Sequence, residues 1–119
     1  MTKVTFFRNN GVLYGFEEEG HSGYADAGED ILCSALSAMT MLIVNTVETS
    51  YAADVEYVVS AEETKITVRS RAALPEYESD ESRRFAVSGL FSGYYKQLKE
   101  LEKEYPRNLR VCETELPCK

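Results

Sequence analysis

The stretch Lys3-Val4-Thr5-Phe6-Phe7-Arg8-Asn9-Asn10-Gly11-Val12-Leu13-Tyr14-Gly15-Phe16-Glu17-Glu18 decides how the chain begins to fold. Residues 3–8 and 12–18 are rich in β-branched and aromatic side chains, and between them stands Asn-Gly. A two-residue turn matched to strand twist needs positive φ at both positions, which Asn and Gly adopt at low cost. The reading is an antiparallel hairpin. In its second strand Val12, Tyr14 and Phe16 alternate with Leu13, Gly15 and Glu17, so one face is apolar and has to be covered.

The cover is legible further along. From Asp30 to about residue 48, Leu32, Leu36, Met39, Ile43 and Val47 recur at steps of three and four, which is one helical stripe. Ile31, Ala35, Ala38 and Leu42 widen it, so burial on more than one side is expected. Residues 31–47 carry no charge but include Ser34, Ser37, Thr40, Asn45 and Thr46. They reach only the lower length limit for a bilayer span, so a core helix is preferred, with a role at a subunit interface open to it. Strands are read at 54–60 and 65–71, and a loop at 74–78. A second helix spans 80–105, where Val87, Phe91, Tyr94, Leu98, Leu101 and Tyr105 keep the spacing until Pro106 stops it. A short strand at 108–113 follows, then a tail expected to fray. The order ββαββαβ predicts an α+β fold: a two-layer domain over residues 1–119, with two helices packed on a mainly antiparallel sheet. A chain of 119 residues leaves room for one such core.

Thirteen Lys and Arg against 20 Asp and Glu give a net charge of −7. That balance argues against direct nucleic-acid binding and against an anionic membrane surface, and fits a basic partner better. Three cysteines form no disulfide framework, and the first residues lack the features of a signal peptide, so a cytoplasmic location with reduced thiols is expected.

One histidine and no tryptophan make the reactive inventory short. The informative segment is Gly20-His21-Ser22-Gly23-Tyr24-Ala25-Asp26-Ala27-Gly28-Glu29-Asp30-Ile31-Leu32-Cys33. Residues 20–29 read as a mobile loop containing Gly20, Gly23 and Gly28. With Asp30 as N-cap, Cys33 would be the third helical residue. There unpaired backbone amides and the helix dipole favour thiolate. His21, across the loop, could fold back to the sulfur as base and acid. Simpler readings stand beside this one: Cys33 as a small buried apolar residue, His21 as a solvated side chain, Asp30 as a cap alone. A metal site from His21, Cys33 and Asp30 or Asp26 lacks the usual ligand spacing, and no metal or other cofactor is expected. Cys112 and Cys118 match no redox motif and read as surface thiols.

Gly20-His21, followed by Gly28-x-Asp30-Ile31-Leu32-Cys33-Ser34-Ala35-x-Ser37, resembles the signature of the ribosomal-processing cysteine protease family, Prp. The element order and the closing Tyr105-Pro106-x-x-Leu109 are similar to that family too. The resemblance implies a cytoplasmic bacterial endopeptidase that removes the N-terminal extension of the large-subunit ribosomal protein number twenty-seven, and a homodimer. By position it implies Cys33 as nucleophile and His21 as general base and acid, with Asp30 and Ser37 in support. It further implies Gly20, Gly23, Tyr24 and Gly28 in a loop that closes over substrate. Ser22 and Ser34 depart from the family's usual small apolar residues, as Leu32 and Leu36 do from its valine or isoleucine. None of these removes a proposed functional group. The rival from another class is a non-catalytic module assisting ribosome assembly.

Overall fold

The computed structural model describes residues 1–20 and 27–118. The hairpin forms as expected from β1 (Thr2–Asn9) and β2 (Val12–Glu19), with φ of 51° at Asn10 and 82° at Gly11. One detail of it differs from the simple alternation. Pairing passes from Phe7 with Gly15 to Arg8 with Leu13, so Tyr14 is the extra residue of a β-bulge. Its ring therefore turns to Phe7, at 6.1 Å, and its hydroxyl donates to the Leu116 carbonyl at 2.6 Å. Phe16 instead meets Phe6, Phe91 and Tyr94. The aromatic row seen in the sequence is thus split between two environments.

Five strands make one mixed sheet in the order β3-β4-β2-β1-β5, adding β3 (Glu56–Ser60), β4 (Lys65–Arg69) and β5 (Leu109–Glu115). All pairs are antiparallel except β1 with β5, which run parallel from Thr2 opposite Leu109 to Arg8 opposite Glu115. A parallel neighbour needs a crossover, and α2 (Glu81–Glu104) supplies it. Asp80 caps α2 by accepting from the amides of Ser82 at 2.9 Å and Arg83 at 3.3 Å. Val87, Phe91, Tyr94 and Leu98 are buried along it. Gly89 and Gly93 have open space where a side chain would project, so no close backbone approach depends on them.

The first helix, α1 (Ala27–Asn45), runs on through a π-helical turn at Thr46–Ser50. It begins three residues before the expected start. Asp30 therefore lies inside the helix and is not its N-cap, and Cys33 is the seventh helical residue rather than the third. The reason is local: alanine and glutamate propagate helix well, and Asp30 in the first turn suits the positive end of the dipole. By length and composition Asp30–Ser50 could cross a membrane. Here it lays Leu32, Leu36, Ile43, Val44 and Val47 into the core. The tail also departs from expectation. The Leu116 amide donates to the Arg8 carbonyl at 2.9 Å, and the Tyr77 hydroxyl to the Cys118 carbonyl at 3.0 Å. These bonds hold the segment in place, and Cys112 and Cys118 are half-buried rather than surface thiols.

One polar cluster sits inside this core. Glu18 on β2 is 1% exposed, Thr40 on α1 2% and Tyr94 on α2 5%. A single carboxylate oxygen, Oε1 of Glu18, accepts from the Thr40 hydroxyl at 2.8 Å and the Tyr94 hydroxyl at 2.7 Å. Burial pushes the Glu18 carboxyl above its ordinary value, against the pull of those two bonds. Burial and then the neighbouring carboxylate push the Tyr94 phenol upward as well.

Two predictions follow from these placements. Gly20 has a φ of 95°, and a methyl group there would collide with the carbonyl oxygen of Met1. Gly20→Ala should lower stability by ~1–3 kcal/mol, read as a lower urea midpoint. A native carboxyl pKa above 4.5 means that the folded state holds a proton the unfolded state has lost. Between the two values stability falls as pH rises, and below the unfolded value the difference vanishes. Glu18→Gln should remove that part of the fall when urea midpoints are compared across the acid-to-neutral range.

Candidate active site

The candidate residues fall where β2 ends and α1 begins. Gly20 turns the chain at the end of β2, immediately before His21, with its backbone lying against that of Met1. Positive φ at this point is a fixed requirement of the turn, so Gly20 acts as a pinned corner rather than a hinge. Gly28 falls in the first turn of α1 rather than in a loop. His21, Ser22, Gly23, Tyr24 and Asp26 lie outside the described residues, and with them most of the expected loop at 20–29.

On α1 the structure brings three of the expected residues into register. Asp30, Cys33 and Ser37 stand at i, i+3 and i+7, so they share one edge of the helix. Leu32 and Leu36, beside that edge, are buried, whereas Asp30 and Ser37 are exposed. Cys33 is half-buried between the two environments, as a thiol and not a disulfide. A nucleophile needs this combination: a backbone held rigid by packing and a sulfur that a substrate carbonyl can reach.

The earlier helix start changes the local electrostatics. Unpaired amides belong to the first four residues of a helix. As the seventh, Cys33 donates its own amide within the helix and is not an open oxyanion donor. The amides without an acceptor inside the helix lie one turn ahead of it, around residues 27–30. Asp30, freed from capping, presents its carboxylate one turn before the sulfur on the same edge. Among the described residues, no group of three or more His, Cys, Asp or Glu side chains is arranged to hold a metal ion.

Sequence reasoning passed over the cluster of Glu18, Thr40 and Tyr94, whose Thr40 stands seven residues after Cys33 on α1. A signal for it existed. Glu18 continues the phase of Phe16 towards the core, and Thr40 interrupts the apolar stripe between Leu36 and Ile43. Two polar residues in core phase on neighbouring elements point to a buried pair.

Comparison with known proteins places the chain in context. The family model described as cysteine protease Prp matches residues 1–110. No curated protein matches the chain. Among solved structures it is similar to SMU.848 from Streptococcus mutans, at 24% identity and a TM-score of 0.77, over 98% of this chain and 99% of that one. It is also similar to the essential ribosomal processing protease Prp from S. aureus in complex with a substrate peptide. There the identity is 18% and the TM-score 0.76, over 96% of this chain and 100% of that one. The same S. aureus protein with a covalently linked product peptide gives 19% and 0.73, over the same shares. At these identities the structural likeness speaks for the fold. The family match runs from β1 into β5 and takes in the whole Gly20–Ser37 segment, and by it this chain belongs to the cysteine protease Prp family.

Proposed function

We propose that the chain is a cytoplasmic endopeptidase of ribosome maturation, which removes the N-terminal extension of the bacterial large-subunit ribosomal protein number twenty-seven. Membership of a cysteine protease family supports the reaction class. Likeness to a solved structure named as a ribosomal processing protease with a substrate peptide supports the substrate class. The single observation that carries the residue assignment is the setting of Cys33. It stands on a helix packed into the core, reachable at its edge, in line with Asp30 and Ser37. Cys112 and Cys118 sit on β5 and in the latched tail.

Cys33 attacks the scissile carbonyl as thiolate, and the S–C bond forms as the carbonyl becomes tetrahedral. His21 gives a proton to the leaving amine, then takes one from the water that hydrolyses the acyl-enzyme. Asp30 orients His21. Ser37 supports the site from the following turn. The segment bearing Gly23 and Tyr24, between the corner at Gly20 and the helix that begins at Ala27, closes over the peptide, with Gly28 in the first turn of that helix. The unpaired first-turn amides are the nearest backbone donors for the oxyanion. The whole chain, residues 1–119, acts as one protease domain. Its −7 charge suits a basic peptide and not nucleic acid or an anionic membrane.

The enzyme works as a homodimer. Ile31 and Leu42 on α1 are 56% and 62% exposed, and edge strand β3 exposes Tyr57, Val58 and Val59. Such apolar surface supports a subunit contact.

Incubation with a tagged precursor of the ribosomal protein, followed by mass spectrometry of both fragments, checks the reading. Wild type should cut at one place, and Cys33→Ala and His21→Ala should each lose at least about a thousandfold in rate. Cleavage that persists in Cys33→Ala would overturn it. Light scattering should give twice the 13.4 kDa chain mass, and Leu42→Glu should return the monomer value.

A further inference from the structure

We propose that Glu18, Thr40 and Tyr94 form a positioning clamp that sets the strand leading to His21 against the helix bearing Cys33. The proposal rests on the assignment of those two residues made above. Each member comes from a different element: β2, α1 and α2. Glu18 precedes His21 by three residues, and Thr40 follows Cys33 by seven. Seven residues are close to two helical turns, a rise of ~10 Å, so Thr40 and Cys33 occupy one stripe of α1. The carboxylate thus reaches from the strand of one reactive residue to the helix of the other. Tyr94 joins that link to α2, and its hydroxyl lies 3.4 Å from that of Thr40.

Apolar packing alone does not provide this precision. Around the clamp stand Phe6 and Phe16, whose rings lie 5.7 Å and 4.9 Å from that of Tyr94. Leu36 and Ile43 flank Thr40 on the buried stripe of the helix. Such contacts are non-directional, and a helix can slide or roll over them at little cost. Hydrogen bonds of 2.7 and 2.8 Å to one oxygen tolerate little displacement. Burial of a carboxyl is also costly, and three apolar side chains of similar size would fill the same space. A feature that is unfavourable for burial yet directional suits a role in register. Its consequence falls on the distance between sulfur and imidazole, since a shift of about 1 Å in a reacting pair can cost up to a hundredfold in rate.

The test compares two variants with wild type. One replaces the cluster by apolar groups: Glu18→Leu, Thr40→Val and Tyr94→Phe together. The other is Glu18→Gln, which keeps a carbonyl oxygen for both hydroxyls. Urea midpoints establish folding. Cleavage of the precursor peptide gives kcat and KM separately. Alkylation by iodoacetamide across pH, with Cys33 identified by mass spectrometry, reports the thiolate. The triple variant should stay folded, keep KM within about twofold and lose roughly 10- to 100-fold in kcat, with Cys33 alkylation moved to higher pH. Glu18→Gln should retain most of kcat and the wild-type alkylation profile. Should the triple variant fail to fold, Tyr94→Phe carries the test, with a smaller loss of kcat in the same direction. A folded triple variant, or in its place a folded Tyr94→Phe, with wild-type kcat and alkylation profile overturns the clamp. So does an equal loss in Glu18→Gln, because a carbonyl in the same place would then not suffice. Failure of the underlying assignment looks different: Cys33→Ala would still cleave, whatever the clamp variants do.

Discussion

Phe16 is where the sheet and the helical layer are held to each other. Its ring touches Phe6 on the neighbouring strand and both Phe91 and Tyr94 on α2, all four buried. Full burial of one such side chain contributes ~1.5–3 kcal/mol relative to exposure, and edge-on ring contacts add to it. This cluster gives α2 its place across the sheet. The placement of α2 then determines where β5 is delivered and which side of α1 must face inward. The reverse face is organised separately. There Phe7 and Tyr14 meet, with Tyr14 tied to the last residues of the chain.

Within that framework the candidate site draws on two well-packed parts of the fold. Cys33 is on a helix whose buried stripe includes Leu32, Leu36 and Val47. His21 follows a strand that ends at a glycine corner set by positive φ. Both parents are held by packing or by backbone geometry, and His21 follows the one as Cys33 sits on the other. In the polar cluster the strand before His21 and the helix of Cys33 meet through a directional bond, from Thr40 to Glu18. The cost of a buried carboxyl is in this view offset in function rather than in stability.

Much of the fold was legible because its signals are local. Asn10-Gly11 encodes the turn, Asp80 the start of α2 and Pro106 its end, each through its own backbone preference. What escaped is non-local or ambiguous. The bulge at Tyr14 has no marker of its own and depends on how β1 pairs. The parallel partner of β5 lies at the other end of the chain, and the latch on the tail is formed by Tyr14, Tyr77 and Arg8 from three separate segments. Gly28 read as loop because glycine is a poor helix former, yet one glycine in a first turn costs only ~1 kcal/mol against alanine. For the candidate site, the family was legible in the segment from Gly20-His21 to Cys33 and Ser37, and the family match bears that out. The depth of Cys33 in the helix was not, since it hinges on where the first turn nucleates.

The pairing of β1 with β5 has a kinetic side. Thr2 finds Leu109 and Arg8 finds Glu115 across 107 residues of chain, since 109 − 2 and 115 − 8 both give 107. Contacts of such separation form late, because loop-closure entropy opposes them until the intervening chain has organised. Until then one edge of Val4-Thr5-Phe6-Phe7 carries open backbone donors and acceptors, on a segment rich in β-branched and aromatic residues. The first strand made is therefore the last to be sealed. The long loop closure and the covering of that open edge are one event, and β5 completes it.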